Sequence, residues 1–403
     1  MKLSKLSRTI LVSTLGLVVA ALLTSCEIVT IDYVFVANSG GSGSSGTGQI
    51  ETFDADSLTG ALRNGDPAVS SGGNNPVAIA VTADYANLYV VNQGSNNVVH
   101  FTIADTGVLT QKDMVTTSPN PSFAQVNTAG TYLYVVSGPS PAVLTAYSLS
   151  SGTIGSVASQ VTLSVPNFAG DTIVPTGVTV LANNDAVYLS AYDQSAYNPG
   201  GTTSSIANPG WIFGYAVGSN GALTATVGSP YKAGIKPVAL ASDPTNRFVY
   251  ATDFASNQLI GYTIQGGTTL AYMINGPFSS STEPTAITID PRGKYIYVSN
   301  GLASTVTAFT IDLSTGTPSA IVNTTGSQVN STDTDPVSVT VDAALGRFVY
   351  TANYLGNSVS GFRLNADTGA LTPTQATPYP SGTKSAVVVT VPHGNHAIQS
   401  VTP

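Results

Sequence analysis

Residues 284–311 read PTAITIDPRGKYIYVSNGLASTVTAFTI, and their pattern sets the fold. Ala286 to Ile289 alternates small or polar residues with β-branched ones, the period of a half-buried strand. Asp290-Pro291-Arg292-Gly293-Lys294 is turn chemistry, with proline presetting φ and glycine tolerating positive φ. Tyr295 to Val298 is a continuous apolar run, as expected of a strand covered on both faces. Asn300 to Ser304 reads as a second turn and Val306 to Ile311 as a third strand. No 3.6-residue period is present.

Most of the chain is copies of this unit. Five more begin at Pro76, Pro121, Pro175, Pro237 and Pro336. An anchor aromatic follows in Tyr89, Tyr134, Tyr188, Tyr250, Tyr297 and Tyr350. Three residues past four of these tyrosines stand Asn92, Asp253, Asn300 and Asn353. Units close on Gly-x-Leu-like turns such as Gly107-Val108-Leu109 and Gly369-Ala370-Leu371. The spacing leaves room for a fourth strand, which is the size of a propeller blade. Tyr33 to Asn38 aligns with the second strand of the unit, with Phe35 in the tyrosine place. Its missing first strand is supplied by Ser385 to Asn395, which aligns with Pro284 to Lys294. Pairing the last strand into the first blade leaves no free edge there. The expectation is an all-β, seven-bladed β-propeller over residues 33–403, its first blade closed by the C-terminal strand. Blade 4 diverges most.

The first 25 residues read as a targeting segment. Lys2, Lys5 and Arg8 are its basic end, and Ile10 to Leu23 is an apolar run too short for a comfortable membrane span. Leu23-Thr24-Ser25-Cys26 resembles the bacterial lipoprotein cleavage box, which implies cleavage before Cys26 and lipid on its sulfur and new amino group. Cys26 is the chain's one cysteine, so no internal disulfide can form. Residues 26–32 would be a short tether to a membrane outside the cytoplasm. The formal net charge is −8, and the targeting segment would take three of the thirteen basic residues with it. Without a basic run, nucleic acid is excluded as a partner. Only 8% of residues are charged, so the surface must be Ser, Thr, Asn and Gly.

Asp-Pro-x-Gly-Lys-Tyr-x-Tyr-Val-x-Asn, followed by Ser/Asn-x-Val-x-x-Phe, resembles the lactonase-like seven-bladed propellers. These include the bacterial propeller type of 6-phosphogluconolactonase, fungal muconate-lactonising enzymes and surface proteins with Tyr-Val-Thr-Asn repeats. The resemblance covers residues 33–395 and implies the architecture. Catalytic members carry a Gly-Pro-Arg-His-like stretch at a strand start. Here the strand-start prolines are followed by Val77, Ser122, Thr176, Val238, Thr285 and Val337. The first functional expectation is therefore a binding or scaffold protein at the envelope, a monomer with a glycan or protein ligand. The alternative is hydrolysis of sugar lactones.

Lactone hydrolysis needs a base or a metal to activate water, and a cation or donor for the oxyanion. Asp253, Glu283 and Asp335, with Lys236 between, fall on the face that gathers the loops before first strands and after second strands. They read either as a catalytic group or as turn carboxylates. Asn300 and Asn353 belong to a periodic set that reads as ligand amides or as turn-bonding side chains. Residues 191–211 lengthen the same turn in blade 4. They bring Tyr192, Asp193, Tyr197 and the chain's one tryptophan, Trp211, which could stack on a sugar or pack between blades. Ser39 to Gly48 is flexible by composition. Arg247, Lys294 and Arg347 should form an arc on the opposite face. No cofactor motif, metal cluster or nucleophile elbow is apparent.

Overall fold

The computed structural model describes residues 29–40, 47–166, 170, 172–197 and 209–393. The expected signal segment and Cys26 lie outside these residues, as do the middle of the glycine-rich loop and residues 198–208. Seven antiparallel sheets of four or five strands are arranged radially. The inner strands begin at Pro76, Pro121, Ile173, Pro237, Pro284 and Pro336, and the seventh is Ser385–Pro392. Each lies beside the inner strand of the next blade, and the last returns to the first.

The quoted stretch folds as read, into strands Pro284–Ile289, Tyr295–Asn300 and Thr305–Ile311. The second of these is buried throughout. A fourth strand follows in two short pieces, Pro318–Ala320 and Val329–Ser331. Ring closure follows the expected register. Thr30–Asn38 pairs with Thr47–Asp56 on one side and with Ser385–Pro392 on the other. Asn38 faces Ser385 as Asn300 faces Pro284. That strand begins at Thr30, three residues ahead of Tyr33.

Three repeated devices hold neighbouring blades together. The anchor tyrosines are buried, and five of them donate to a carbonyl in the outer hairpin of the next blade. Tyr89 bonds Gly152, Tyr188 bonds Thr268, Tyr250 bonds Gly316, Tyr297 bonds Gly369, and Tyr350 bonds Gly60 across the closure. Tyr134 is the exception: its hydroxyl is buried without a partner.

The second device is a β-bulge just after each strand-start proline, as between Pro284 and Ala286. Where the bulged residue carries a hydroxyl, it bonds the next blade. Ser122 donates to Pro175 O at 3.0 Å, Thr176 to Pro237 O at 2.8 Å and Thr285 to Pro336 O at 2.6 Å. The third device is apolar packing between blades, as where Tyr295 and Tyr297 of blade 6 meet Phe362 and Leu364 of blade 7.

The aspartate of Asp-Pro-x-Gly-Lys ties its own turn. Asp290 Oδ1 accepts the backbone N–H groups of Lys294 and Tyr295 at 2.7 and 2.8 Å. Asp243 does the same for Arg247 and Phe248. On this face Arg247 is engaged with Asp243 and with Leu313 O, so the expected basic arc is partly neutralised.

Candidate functional site at the ring mouth

The residue just before each repeat-start proline, or before Ser385 in blade 1, lies at the mouth of the ring. In chain order these are Asn75, Asn120, Val174, Lys236, Glu283 and Asp335, and Lys384 completes the circle. Asn75, Asn120, Glu283, Asp335 and Lys384 all adopt left-handed backbone, with φ between 52° and 59°. This conformation is unfavourable for residues with a Cβ. It is held by bonds on both sides of the residue. Glu283 O accepts Gly301 N–H and Asp335 O accepts Tyr354 N–H, both at 2.8 Å. Glu283 N–H donates to Asn257 Oδ1 of the preceding blade at 2.8 Å, and Lys384 N–H to Asn357 Oδ1 at 2.7 Å. The charged members are thus consecutive around the ring: Lys236, Glu283, Asp335, Lys384.

Lys236 sits in an aromatic cage. Its Nζ lies 4.5 Å from the Phe254 ring centroid, 5.0 Å from Tyr197 and 5.5 Å from Tyr192. Tyr192 and Tyr197 meet edge to face at 5.5 Å. Desolvation by these surroundings lowers the lysine pKa, and the Glu283 carboxylate opposes that. Burial raises the pKa of Asp335, and Glu283 raises it further. Burial also raises Tyr197, with Glu283 and Asp253 adding to it. Glu283 is therefore the charge that couples Lys236, Asp335 and Tyr197. Lys384 rests 5.6 Å from the Tyr354 ring.

The other expected site residues are placed differently. Asp253 is fully buried; its Oδ2 accepts Ile235 N–H at 2.8 Å and its Oδ1 accepts Lys236 N–H at 2.9 Å. It positions the Lys236 backbone and offers no free oxygen as a base. Asn300 is buried with its amide bonded to Thr307 Oγ1 at 3.0 Å and its oxygen to Ser280. Asn353 is buried and bonds Ser358 and Ser360. Both asparagines are spent on these internal bonds, Asn300 also tying in Ser280 at the end of blade 5, and do not line the mouth. In blade 4 the equivalent position is Ala191, opposite Pro175. Asp193 lies two residues on, buried, with Oδ1 accepting Ser195 N–H. Trp211 starts the third strand opposite Ala191 and packs on the core between blades 3 and 4. Of the expected residues, the mouth brings together Lys236, Glu283, Asp335, Tyr192 and Tyr197. Phe254 and Lys384 were not anticipated. Their signal is positional: Phe254 follows Asp253, and Lys384 precedes Ser385 as Glu283 precedes Pro284.

No match was found among curated proteins. Several solved structures share the fold. The periplasmic gluconolactonase of Pseudomonas aeruginosa is 18% identical with a TM-score of 0.72, over 90% of this chain and 99% of that one. A candidate 6-phosphogluconolactonase of Bacteroides fragilis is 18% identical with a TM-score of 0.69, over 91% of this chain and 99% of that one. A Lactobacillus plantarum protein is 16% identical with a TM-score of 0.68, over 90% of this chain and all of that one. These likenesses establish the architecture alone. The model of the family described as lactonase, 7-bladed beta-propeller, matches residues 46–174 and 219–328, more than half of the chain. Repeat register, ring closure and family match agree, and the chain belongs to the seven-bladed β-propeller lactonase family.

Proposed function

We propose that this protein hydrolyses a sugar lactone at the ring mouth, with Glu283 as general base. The observation that carries this is the sharing of one mouth by a caged ammonium, Lys236, and two carboxylates, Glu283 and Asp335. Glu283 takes a proton from water, and the resulting hydroxide adds to the lactone carbonyl. Lys236 faces the oxyanion, where a desolvated cation counts for more than in bulk water. The acyl–oxygen bond of the ring then breaks. Asp335, whose pKa is raised, supplies the proton for the departing alkoxide. Water is consumed and an open-chain hydroxy acid is formed. Tyr192 and Tyr197 offer ring faces to the sugar.

A second reading, binding or scaffolding at the envelope without turnover, is supported by the tight aromatic cage on Lys236. A lactone panel followed by continuous acid release, on the chain starting at Glu27, separates the two. Saturable turnover above the spontaneous rate supports hydrolysis. Saturable binding of the same lactones without acid release favours the second reading.

The setting we propose is extracytoplasmic, with the chain held to a bacterial membrane by lipid on Cys26. The Leu23–Cys26 box and the preceding apolar run support this. Metabolic labelling with a palmitate analogue should mark the wild type and not Cys26→Ser. Equal labelling of both would contradict it.

A further inference from the structure

A cleft of about 620 Å³ runs between blades 4 and 5, away from the ring axis. Its walls come from the outer strand of blade 4, at Tyr231, and the outer strand of blade 5, at Tyr272. Tyr262, Ile260 and Leu270 lie between them and belong to the core shared by the two blades. Tyr262 is 1% exposed and Tyr272 46%, and their rings meet edge to face at 5.7 Å.

The hydroxyls of two tyrosines are already used. Tyr231 OH bonds Thr226 Oγ1 and Val227 O, and Tyr262 OH donates to Lys232 O. These residues can therefore offer only ring surface to a ligand. Hydrogen-bonding capacity sits at the rim. Gln258 and Ser256 line the cleft, and neither side chain bonds another described residue. Lys232 also lines the cleft; its carbonyl is taken by Tyr262 OH, and its exposed side chain is the one charged group among the lining residues. The lining is thus aromatic and apolar, with Gln258, Ser256 and the single cation Lys232 as its polar groups and no carboxylate.

The same seat exists between blades 7 and 1, and there it is filled. The segment Thr226-Val227-Gly228-Ser229-Pro230-Tyr231 recurs as Thr374-Gln375-Ala376-Thr377-Pro378-Tyr379. Tyr379 makes the matching bonds to Thr374 and Gln375. It is only 6% exposed and packs in one core with Phe53 and Leu62 of blade 1. In the blade 4–5 cleft the seat is open instead, with Val227 79% and Ile274 98% exposed nearby.

The cleft is next to the mouth along the chain. Gly234 and Ile235 line it, and the next residue is Lys236. Tyr231 to Lys236 spans on the order of 15 Å if extended. An apolar, aromatic surface with hydrogen-bonding groups and no carboxylate at its rim matches the C–H faces and hydroxyls of pyranose rings.

We propose that the blade 4–5 cleft is a subsite for a neutral oligosaccharide chain, so that the substrate is an oligosaccharide ending in a lactone. The chain lies over Tyr272 and Tyr231 while the terminal lactone reaches Lys236 and Glu283. This substrate assignment rests on the hydrolytic reading of the mouth. The oligosaccharide subsite does not. The reaction that supplies such a substrate is oxidation of a sugar chain at its reducing-end carbon.

The test uses β-1,4-linked gluco-oligosaccharides of one to five units, as unoxidised sugars and as aldonolactones. Calorimetric titration of the unoxidised tetramer should show saturable binding that weakens at least fivefold in Tyr272→Ala and in Gln258→Ala. Glu283→Gln should bind it as the wild type does. With the lactones, kcat/KM should rise at least tenfold from one unit to four, and Tyr272→Ala should remove that rise while keeping the one-unit value. Tetramer binding without any lactone turnover would sustain the cleft and overturn the hydrolytic reading with its substrate assignment. Turnover with no dependence on chain length and no tetramer binding would overturn the cleft alone. Preferential binding of a proline-rich peptide, with no sugar binding, would also overturn it.

Discussion

The Tyr297 hydroxyl of blade 6 donates to the Gly369 carbonyl of blade 7 at 3.0 Å. The two residues are 72 positions apart in the chain yet adjacent in the ring, and blades 2, 4, 5 and 7 repeat the contact. A buried hydrogen bond of this kind contributes about 1 kcal/mol. Tyr297→Phe should therefore lower unfolding stability by about 1–2 kcal/mol, since it leaves the Gly369 carbonyl without this donor. Tyr134→Phe removes a hydroxyl that has no partner and should be neutral or stabilising. Urea unfolding of both variants checks this; equal losses would refute the latch.

Closure of the ring carries a pH dependence. Asp32 of blade 1 is fully buried, with Oδ1 accepting Ala344 N–H and Oδ2 without a hydrogen-bond partner, and the Asp342 carboxylate of blade 7 acts on it. Asp342 already accepts four backbone N–H groups, from Leu345, Gly346, Arg347 and Phe348. Burial and the neighbouring Asp342 both favour the protonated form of Asp32. Its pKa is raised well above the usual carboxylate range, first by burial and then by Asp342. Tyr85 and Tyr350 also face the pair and add no positive charge. A raised folded-state pKa means stability that is full below the unfolded value and lost as pH rises through the folded one. Asp32→Asn keeps the shape of the side chain and removes the titration. Its stability advantage over wild type should grow from about pH 4 upward, by up to ~1.4 kcal/mol per pH unit between the two pKa values. A constant difference between pH 4 and 8 would contradict the raised pKa of Asp32.

The two aspartates of the expected site should behave unlike each other. Asp253→Ala strips the acceptor from three part-buried N–H groups, of Ile235, Lys236 and Ala255, and should cost about 2–4 kcal/mol of stability. Asp335→Asn, at a half-buried mouth position, should leave stability within about 0.5 kcal/mol and lower turnover. Thermal unfolding and initial rates separate the cases.

The pH profile of turnover follows from the two shifted groups. Protonated Asp335 is the proton donor, and its raised pKa extends activity above the ordinary carboxylate range before the rate declines. Protonated Lys236 is needed for the oxyanion, and its lowered pKa brings a second loss earlier than an ordinary lysine would. Asp335→Asn should erase the first decline and keep the second. An unchanged profile in that variant would remove Asp335 from the reaction.

What was legible in the sequence is what repeats locally. The strands of Pro284 to Ile311, the tyrosine spacing and the pairing of Ser385 to Pro392 into blade 1 all follow from period and alignment. The site was legible only in part, because one repeat position can face the mouth or the blade interior. Asn300 and Asn353 share a position whose side chain turns inward, where the neighbouring third strand uses its amide. Glu283, Asp335 and Lys384 share a position held in left-handed backbone at the mouth, and that hold depends on groups from adjacent blades such as Asn257 and Asn357. Lys384 has no proline after it to mark its place. The tyrosine latches were equally hidden, since each acceptor lies in the following blade.

The most direct test of the central claim is turnover and binding measured together in Glu283→Gln on the lactone the wild type hydrolyses best. The account predicts that kcat falls at least ~100-fold while the affinity for the unreactive open-ring sugar stays within twofold. Wild-type turnover in this variant would place the chemistry elsewhere and contradict the assignment of the mouth as the active site.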